Sequence, residues 1–473
     1  MKTVLFLPEL FLLFSCLFIF LLTLGKNKAA LAKNVTTVLA IINVLVCFAS
    51  LRLEGELFFR AYQIDFFSQL FKLIIAAALA VVVLFGRELK GIATQVRAEY
   101  YLLLLLSVLG LMMMVSSVEL LTLFVALELS SYSLYLLVPM RDDQGGLSFQ
   151  MEAAVKYLLF GVVATGVMLF GMSYLFGLTG TTYLRDLVPA LLPLGNNLAA
   201  VVSLLMVMGG FFFKLGVFPF HFWVPDVYQG ASNETTAFIA TVPKLGAVAI
   251  LIRIAIMAAA AGGSIVTLLM ALAVCSMFYG NLIALVQKDI KRMLGFSGIA
   301  HAGFVLVGLL TMKETGYATA IYYITGYVLM NLACFLVICK VSREGENLQI
   351  SDLAGLHKRA PLLALTLTVG MFALAGIPPF VGFMGKFMLL AAALQEGYLT
   401  LVILAALNTA IAIYYYLSVV RVSFCSDPED RPAVEVDATT KAISCALVLV
   451  IIAMGVAPAR VVEMAAVAVR GLM

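Results

Sequence analysis

The chain has 473 residues, of which 63% are apolar and only 12% are Asp, Glu, Lys or Arg, with a formal net charge of +4. That charged share is about half of the usual quarter, and the mean hydropathy is +1.10. Too little charge is left to clothe a soluble domain, so most soluble enzyme classes are excluded and the composition points to an all-α polytopic membrane protein. At roughly 33 residues per span and connection, the chain accommodates about 14 transmembrane helices and almost nothing else.

The N-terminus, Met1-Lys2-Thr3 followed by an apolar run to Leu24, imitates a secretory signal. Pro8-Glu9 interrupts the run and no small-x-small cleavage site follows, so it reads as a retained first helix. Apolar runs bounded by charge or turn residues then place spans near 4–24, 35–51, 65–86, 100–117, 119–138, 153–177, 198–222, 235–256, 264–286, 293–311, 316–340, 361–388, 398–421 and 441–457. The fourth and fifth runs are nearly continuous, and Ser116-Ser117-Val118-Glu119 is where they divide. Lys and Arg in the connections favour, by roughly two to one, the side that holds the 9–10 and 11–12 connections. That side is therefore inside, and both termini are expected outside.

The seven cysteines are scattered and mostly lie in apolar runs, with no metal-knuckle or CxxC spacing, so all seven read as small buried apolar residues. Only three histidines are present: His221, His301 and His357. A membrane haem needs paired axial ligands, and His357 lies in a charged connection, which argues against one.

Gly216-Val217-Phe218-Pro219-Phe220 in the seventh span matches Gly376-Ile377-Pro378-Pro379-Phe380 in the twelfth. The copies are five helices apart, and an odd separation turns the second copy upside down. The expected domains are 1–98 (helices 1–3), 99–257 (a first five-helix repeat, helices 4–8), 258–422 (the inverted second repeat, helices 9–13) and 423–473 (helix 14). Gly and Pro at mid-span break the hydrogen-bond ladder, so helices 7 and 12 are expected to be discontinuous. Broken helices at matching places in inverted halves mark the transport site of many secondary transporters.

Charged residues at mid-bilayer cost roughly 2.5–3.5 kcal/mol each even on the lenient scale. Glu128, Lys214, Lys244 and His301 each fall about 13–15 Å into their spans at ~1.5 Å per residue. Lys386 follows the break of the twelfth span, toward the outer half. Lys156 lies about one turn into the sixth span, four residues after Glu152 and on the same face. Lys72, near the start of the third span, reads as a snorkelling or anchoring residue. Each of these has a bland reading. Glu128 with Lys214 is an ion pair, His301 a bonded core histidine, and Lys244 and Lys386 caps for freed carbonyls. Stability alone does not require so many ionisable groups at one depth. A lysine desolvated in the interior can exchange its proton near neutral pH, which is the chemistry of a proton relay.

The stretch from Phe213 to Ala231, including Pro219-Phe220-His221-Phe222-Trp223-Val224-Pro225-Asp226, resembles the signature of the antiporter-like membrane subunits of respiratory complex I. That superfamily also contains Mrp-type cation/proton antiporters and membrane-bound hydrogenases. Val227-Tyr228-Gln229-Gly230-Ala231, Asp289 to Gly303 with Ala300-His301, Gly382 to Phe387, Ala126 to Ser131 and Leu7-Pro8-Glu9-Leu10 are similar to the subunit N branch. One departure is Ser232-Asn233-Glu234-Thr235-Thr236, where the family carries a Pro-containing turn. There Ser232 or Asn233 is expected to cap helix 8.

The resemblance implies a non-redox subunit of a proton-pumping NADH:quinone oxidoreductase in the bacterial inner membrane. Another antiporter-like subunit and the small quinone-side subunits are its implied partners. It implies proton translocation through Glu128, Lys156, Lys214, Lys244, His301 and Lys386, with Glu128 modulating Lys214, Lys244 connecting, and Lys386 near the exit. Quinone, FMN and iron–sulfur clusters are implied to belong to other subunits, with no metal or cofactor here. The alternatives are a subunit of an Mrp-type antiporter or of an F420H2- or ferredoxin-driven pump. A passive membrane scaffold is a third reading, and the layer of titratable groups argues against it.

Overall fold

The computed structural model describes residues 2–25, 29–142, 149–194, 197–258, 263–428 and 431–473. Every expected span carries a helix. The first six are Leu7–Thr23, Ala29–Ala49, Phe66–Phe85, Arg97–Ser116, Leu120–Leu137 and Phe149–Thr179. The seventh is two helices, Leu198–Leu215 and Trp223–Gly230. Then come Asn233–Ala258, Gly263–Ala284, Ile290–Leu309 and Glu314–Val341. The twelfth is again two helices, Pro361–Ala375 and Val381–Gln395, before Leu399–Cys425 and Ala438–Val456. Among the described residues, twelve helices are long and apolar enough to cross a membrane, and three shorter apolar helices accompany them.

Several elements outside the expected spans went unread in the sequence. A two-stranded hairpin pairs Gly55–Leu57 with Tyr62–Ile64 ahead of the third span. A short helix, Leu184–Leu191, precedes the seventh span, and an amphipathic one, Ala459–Arg470, follows the last. They are short or amphipathic, so no long apolar run announces them. The twelfth span runs on to Gln395, because after the break a fresh half-helix has to start again.

Both breaks are built alike. Leu198–Leu215 ends at Gly216 with φ +81°, and Pro361–Ala375 ends at Gly376 with φ +86°. In the first, the Val217 and Gly216 amides turn back to the Phe212 and Phe213 carbonyls. In the second, the Ile377 and Gly376 amides turn back to the Phe372 and Ala373 carbonyls. This is the six-to-one and five-to-two pattern of a glycine-terminated helix, and the left-handed residue at its heart requires glycine. A Cβ on Gly216 would come within 2.9 Å of the Val224 side chain.

Among the helices that carry the expected site, those bearing Lys244 and His301 are the most enclosed. The apolar windows of Asn233–Met257 and Ile290–Leu309 are 94% buried and that of Glu314–Val341 is 83% buried, against 28% for Ala29–Ala49. Three cysteines depart from expectation: Cys275, Cys425 and Cys445 are exposed, on the apolar outer surfaces of their helices. Ser232 caps helix 8 as expected, its hydroxyl accepting from the Thr235 amide at 3.2 Å.

Glu119 begins the fifth span. Its carboxylate accepts from the Thr122 amide at 2.7 Å and the Thr122 hydroxyl at 2.8 Å. Burial works to raise its pKa, but these donors and Thr182 win and hold it below the usual carboxylate value. The cap thus fixes where the Glu128-bearing helix starts. Glu119→Ala is expected to cost ~1 kcal/mol at pH 7. A depressed folded pKa means that this contribution is present above the unfolded value and is lost as pH falls through the folded one. Denaturation of parent and variant from pH 7 downward should show the gap closing in acid.

Candidate functional site

Lys214 occupies the last turn of Leu198–Leu215, immediately before the first break, and is 2% exposed. Its ammonium donates to the Ser131 hydroxyl at 2.9 Å and the Ser130 hydroxyl at 3.1 Å. Glu128, one turn away on the same helix as the serines, accepts from the Thr165 hydroxyl at 2.7 Å. A direct Glu128–Lys214 ion pair therefore does not form. The carboxylate stands within Coulombic range of the ammonium. The Ser107 hydroxyl extends the network to Ser130 at 3.1 Å.

Lys244 is 1% exposed, just after Pro243 in Asn233–Ala258. Its ammonium does not cap a freed carbonyl. It donates to the Tyr327 hydroxyl at 3.0 Å and lies 4.9 Å from that ring's centre. The Tyr327 ring in turn packs 5.1 Å from the His301 imidazole. Lys244, His301, Gly298, Tyr327 and Leu215 line one narrow gap, too tight to admit a water molecule. Leu215 is the neighbour of Lys214, so this space abuts the first break.

Both ring nitrogens of His301 are engaged: Nδ1 with the Tyr323 hydroxyl at 2.6 Å and Nε2 with the Tyr416 hydroxyl at 3.1 Å. Tyr416 continues to the Ser297 hydroxyl. Lys386, 4% exposed, donates to the Leu374 and Ala375 carbonyls at 3.0 and 3.2 Å, and its ammonium lies 5.0 Å from the Phe304 ring centre. It caps the half-helix that ends at the second break, the bland reading of this residue. Lys386 and Lys244 both stand within Coulombic range of His301.

Lys156 is apart from this chain of groups. Its ammonium lies 2.7 Å from Glu152, as the spacing predicted, and 2.7 Å from Asp226. Asp226 also pairs with Arg292 at 2.7 Å. The Lys156 side chain is 38% exposed, so the group belongs to a surface of the bundle. Nearby, Arg141 and Lys291 donate to the Gln229 and Ala231 carbonyls at 2.8 Å and so cap the end of Trp223–Gly230.

The structure brings together Glu128 with Lys214, and Lys244 with His301 and Lys386. The sequence reading missed the hydroxyls that join them: Ser130, Ser131, Thr165, Tyr323, Tyr327 and Tyr416. The signal was present. Tyr323 and Tyr327 lie four apart, on one face of an apolar helix. Among the described residues, no group of three or more His, Cys, Asp or Glu side chains is arranged to hold a metal ion.

Residues 117–412 match the family model described as NADH:quinone oxidoreductase/Mrp antiporter, TM. The chain belongs to this family. It is 51% identical over 459 residues to NADH-quinone oxidoreductase subunit N 2 of Opitutus terrae, covering 97% of this chain and 96% of that one. A chain of respiratory complex I from Thermus thermophilus superposes with a TM-score of 0.84 at 30% identity, covering 97% and 99%. A chain of the Mrp complex from a Dietzia species shares the fold, with a TM-score of 0.88 at 20% identity over 100% and 98%. The family thus spans quinone-linked pumps and antiporters on one scaffold.

Tyr327→Phe tests the Lys244 contact. It leaves the ammonium over a ring without its acceptor, and a buried donor left unmade costs ~1–3 kcal/mol. A drop in thermal midpoint of the purified protein is expected, together with retention of the fold by circular dichroism.

Proposed function

We propose that this chain is a membrane-arm subunit of a proton-pumping NADH:quinone oxidoreductase and moves protons through the buried chain Glu128–Lys214–Lys244–His301–Lys386. The single observation that supports this most is the run Lys244–Tyr327–His301–Tyr323/Tyr416, of which all but Tyr416 stand on the three most buried helices. Each step has a group that can both hold and give a proton, separated by a hydroxyl or a short gap. Glu128 biases Lys214 by its charge. Lys214 passes a proton toward Lys244 past Leu215. Lys244 passes it toward His301. Lys386 releases it where the second break opens the backbone. Lys156 with Asp226 and Arg292 belongs to the edge of this path and feeds or gates it.

In this reading residues 99–257 and 258–422 are inverted five-helix repeats, fourteen helices cross the membrane, and both termini face outward. The matching glycine-terminated breaks support the repeat. The partners are other membrane-arm subunits of the complex in a bacterial inner membrane. The redox chemistry of quinone, FMN and iron–sulfur clusters belongs to other subunits, and this chain carries no redox step. Val227-Tyr228-Gln229-Gly230-Ala231 and His301 favour the quinone-linked pump over the antiporter.

Two experiments on assembled complex in proteoliposomes test the relay. A positioned proton-transfer group is worth roughly 10²–10⁴-fold, so Lys214→Ala should lower pumping at least about tenfold. Normal pumping by that variant sinks the assignment. Lys244→Arg keeps charge and donors but cannot give up its proton at physiological pH; it should assemble and fail to pump.

Lys386→Arg separates exit from cap. Arginine can still bond the Leu374 and Ala375 carbonyls, so assembly should be normal while coupled pumping falls. Full pumping by this variant returns Lys386 to a capping role alone.

A further inference from the structure

The first three spans hold a second buried ionisable cluster, apart from the chain of groups above. The Lys72 ammonium lies 2.6 Å from Glu9 Oε1, and both side chains are wholly buried. The Tyr62 hydroxyl donates to the same Glu9 oxygen at 2.6 Å, and the Lys72 ammonium sits 5.3 Å from the Tyr62 ring centre. Lys72 is therefore not the snorkelling residue that its place near a helix start suggested, because Glu9 from the first span meets it inside the bundle. Phe6, Phe58 and Tyr62 pack edge to face at 5.4 to 6.0 Å and close the cluster beneath the hairpin.

Donors and acceptors in this cluster do not balance among themselves. Glu9 Oε2 accepts no hydrogen bond, and the Lys72 ammonium has donors to spare. Gln69, one turn before Lys72 on the same helix face, is fully buried with both its amide oxygen and nitrogen unbonded. On the inward face of Ala29–Ala49, the Thr36 hydroxyl and Asn43 Nδ2 are unbonded too. Leaving such groups unmade in apolar surroundings is costly. An anion would face Glu9 and a cation would face Lys72. Water serves both kinds of atom at once, and a buried water typically makes about three such bonds.

We propose that Glu9, Tyr62, Gln69 and Lys72 form a hydrated acid–base site, distinct from the midplane chain, that holds water and exchanges one proton. In the internal step an ammonium N–H bond of Lys72 breaks and an O–H bond forms on Glu9. The ion pair becomes a neutral amine beside a carboxylic acid, with no change in net charge. The amine then takes a proton from hydronium in the bridging water, leaving ammonium, carboxylic acid and water, one proton more than at the start. Among the described residues, the titratable groups facing the pair are Cys47 from the second span and Tyr62 from the hairpin. The fourth span contributes the Met112 carbonyl and the Ser116 hydroxyl.

The test is infrared difference spectroscopy of the assembled complex, with pH titration and exchange from H₂O to D₂O. A buried carboxyl band that titrates and shifts in D₂O is expected in the parent and absent in Glu9→Gln. Gln69→Leu leaves both charges in place but removes the anchor of the water, so the D₂O shift should slow at least about tenfold. A band that is unchanged in Glu9→Gln, or exchange that is unchanged in Gln69→Leu, overturns the proposal in favour of a dry ion pair. If Glu9→Gln fails to assemble, the Gln69→Leu exchange rate decides alone.

Discussion

Backbone groups inside a membrane must find partners within the protein, and this constraint governs both interrupted helices. Each glycine-terminated half-helix leaves carbonyls that the next turn would have taken. In the first break the Trp223 indole donates to the Phe213 carbonyl at 2.9 Å. In the second, Lys386 serves the Leu374 and Ala375 carbonyls itself. The difference matters. With an uncharged indole on the first break, Lys214 is free to turn to Ser130 and Ser131. At the second break the cation is bound to the backbone it follows. Two breaks of the same geometry thus leave their lysines in different chemical states.

The second regularity is that hydroxyls, not carboxylates, hold the two buried lysines nearest the first break. Lys214 rests on two serines and Lys244 on a tyrosine. A carboxylate at contact would trap an ammonium, because breaking a buried ion pair leaves an uncompensated charge. A hydroxyl satisfies the donor and lets it go at smaller cost. Glu128 stands beyond contact, from where, in the proposed relay, its charge would bias Lys214 without binding it. At Lys156, by contrast, carboxylates touch the lysine at a surface, and at Lys72 a carboxylate does so among the N-terminal helices.

The sequence made the helix positions, both breaks and the buried Lys214, Lys244 and Lys386 legible, because apolar runs, mid-span Gly-Pro pairs and misplaced charges are local signals. It did not reveal which groups touch. Lys72 illustrates this: its partner Glu9 is 63 residues away, and only the packing of the first and third spans on the second and fourth brings them together. Tyr327 and Tyr416 likewise looked like ordinary aromatic residues of apolar helices. Their hydroxyls acquire meaning only beside Lys244 and His301. The hairpin and the amphipathic helix Ala459–Arg470 escaped for a different reason, since neither produces a long apolar run.

His301, with a tyrosine hydroxyl on each ring nitrogen, has a consequence of its own. A neutral imidazole gives on one side and accepts on the other. A proton entering at Nδ1 and leaving from Nε2 leaves the ring in the opposite tautomer, with both hydrogen bonds reversed. The next proton finds its doorway already occupied. Resetting takes either a half-turn of the ring, which breaks both bonds in a closely packed space, or a return of the proton. In the proposed relay the histidine would therefore keep a record of the last passage, and a second proton could not follow until that record is erased.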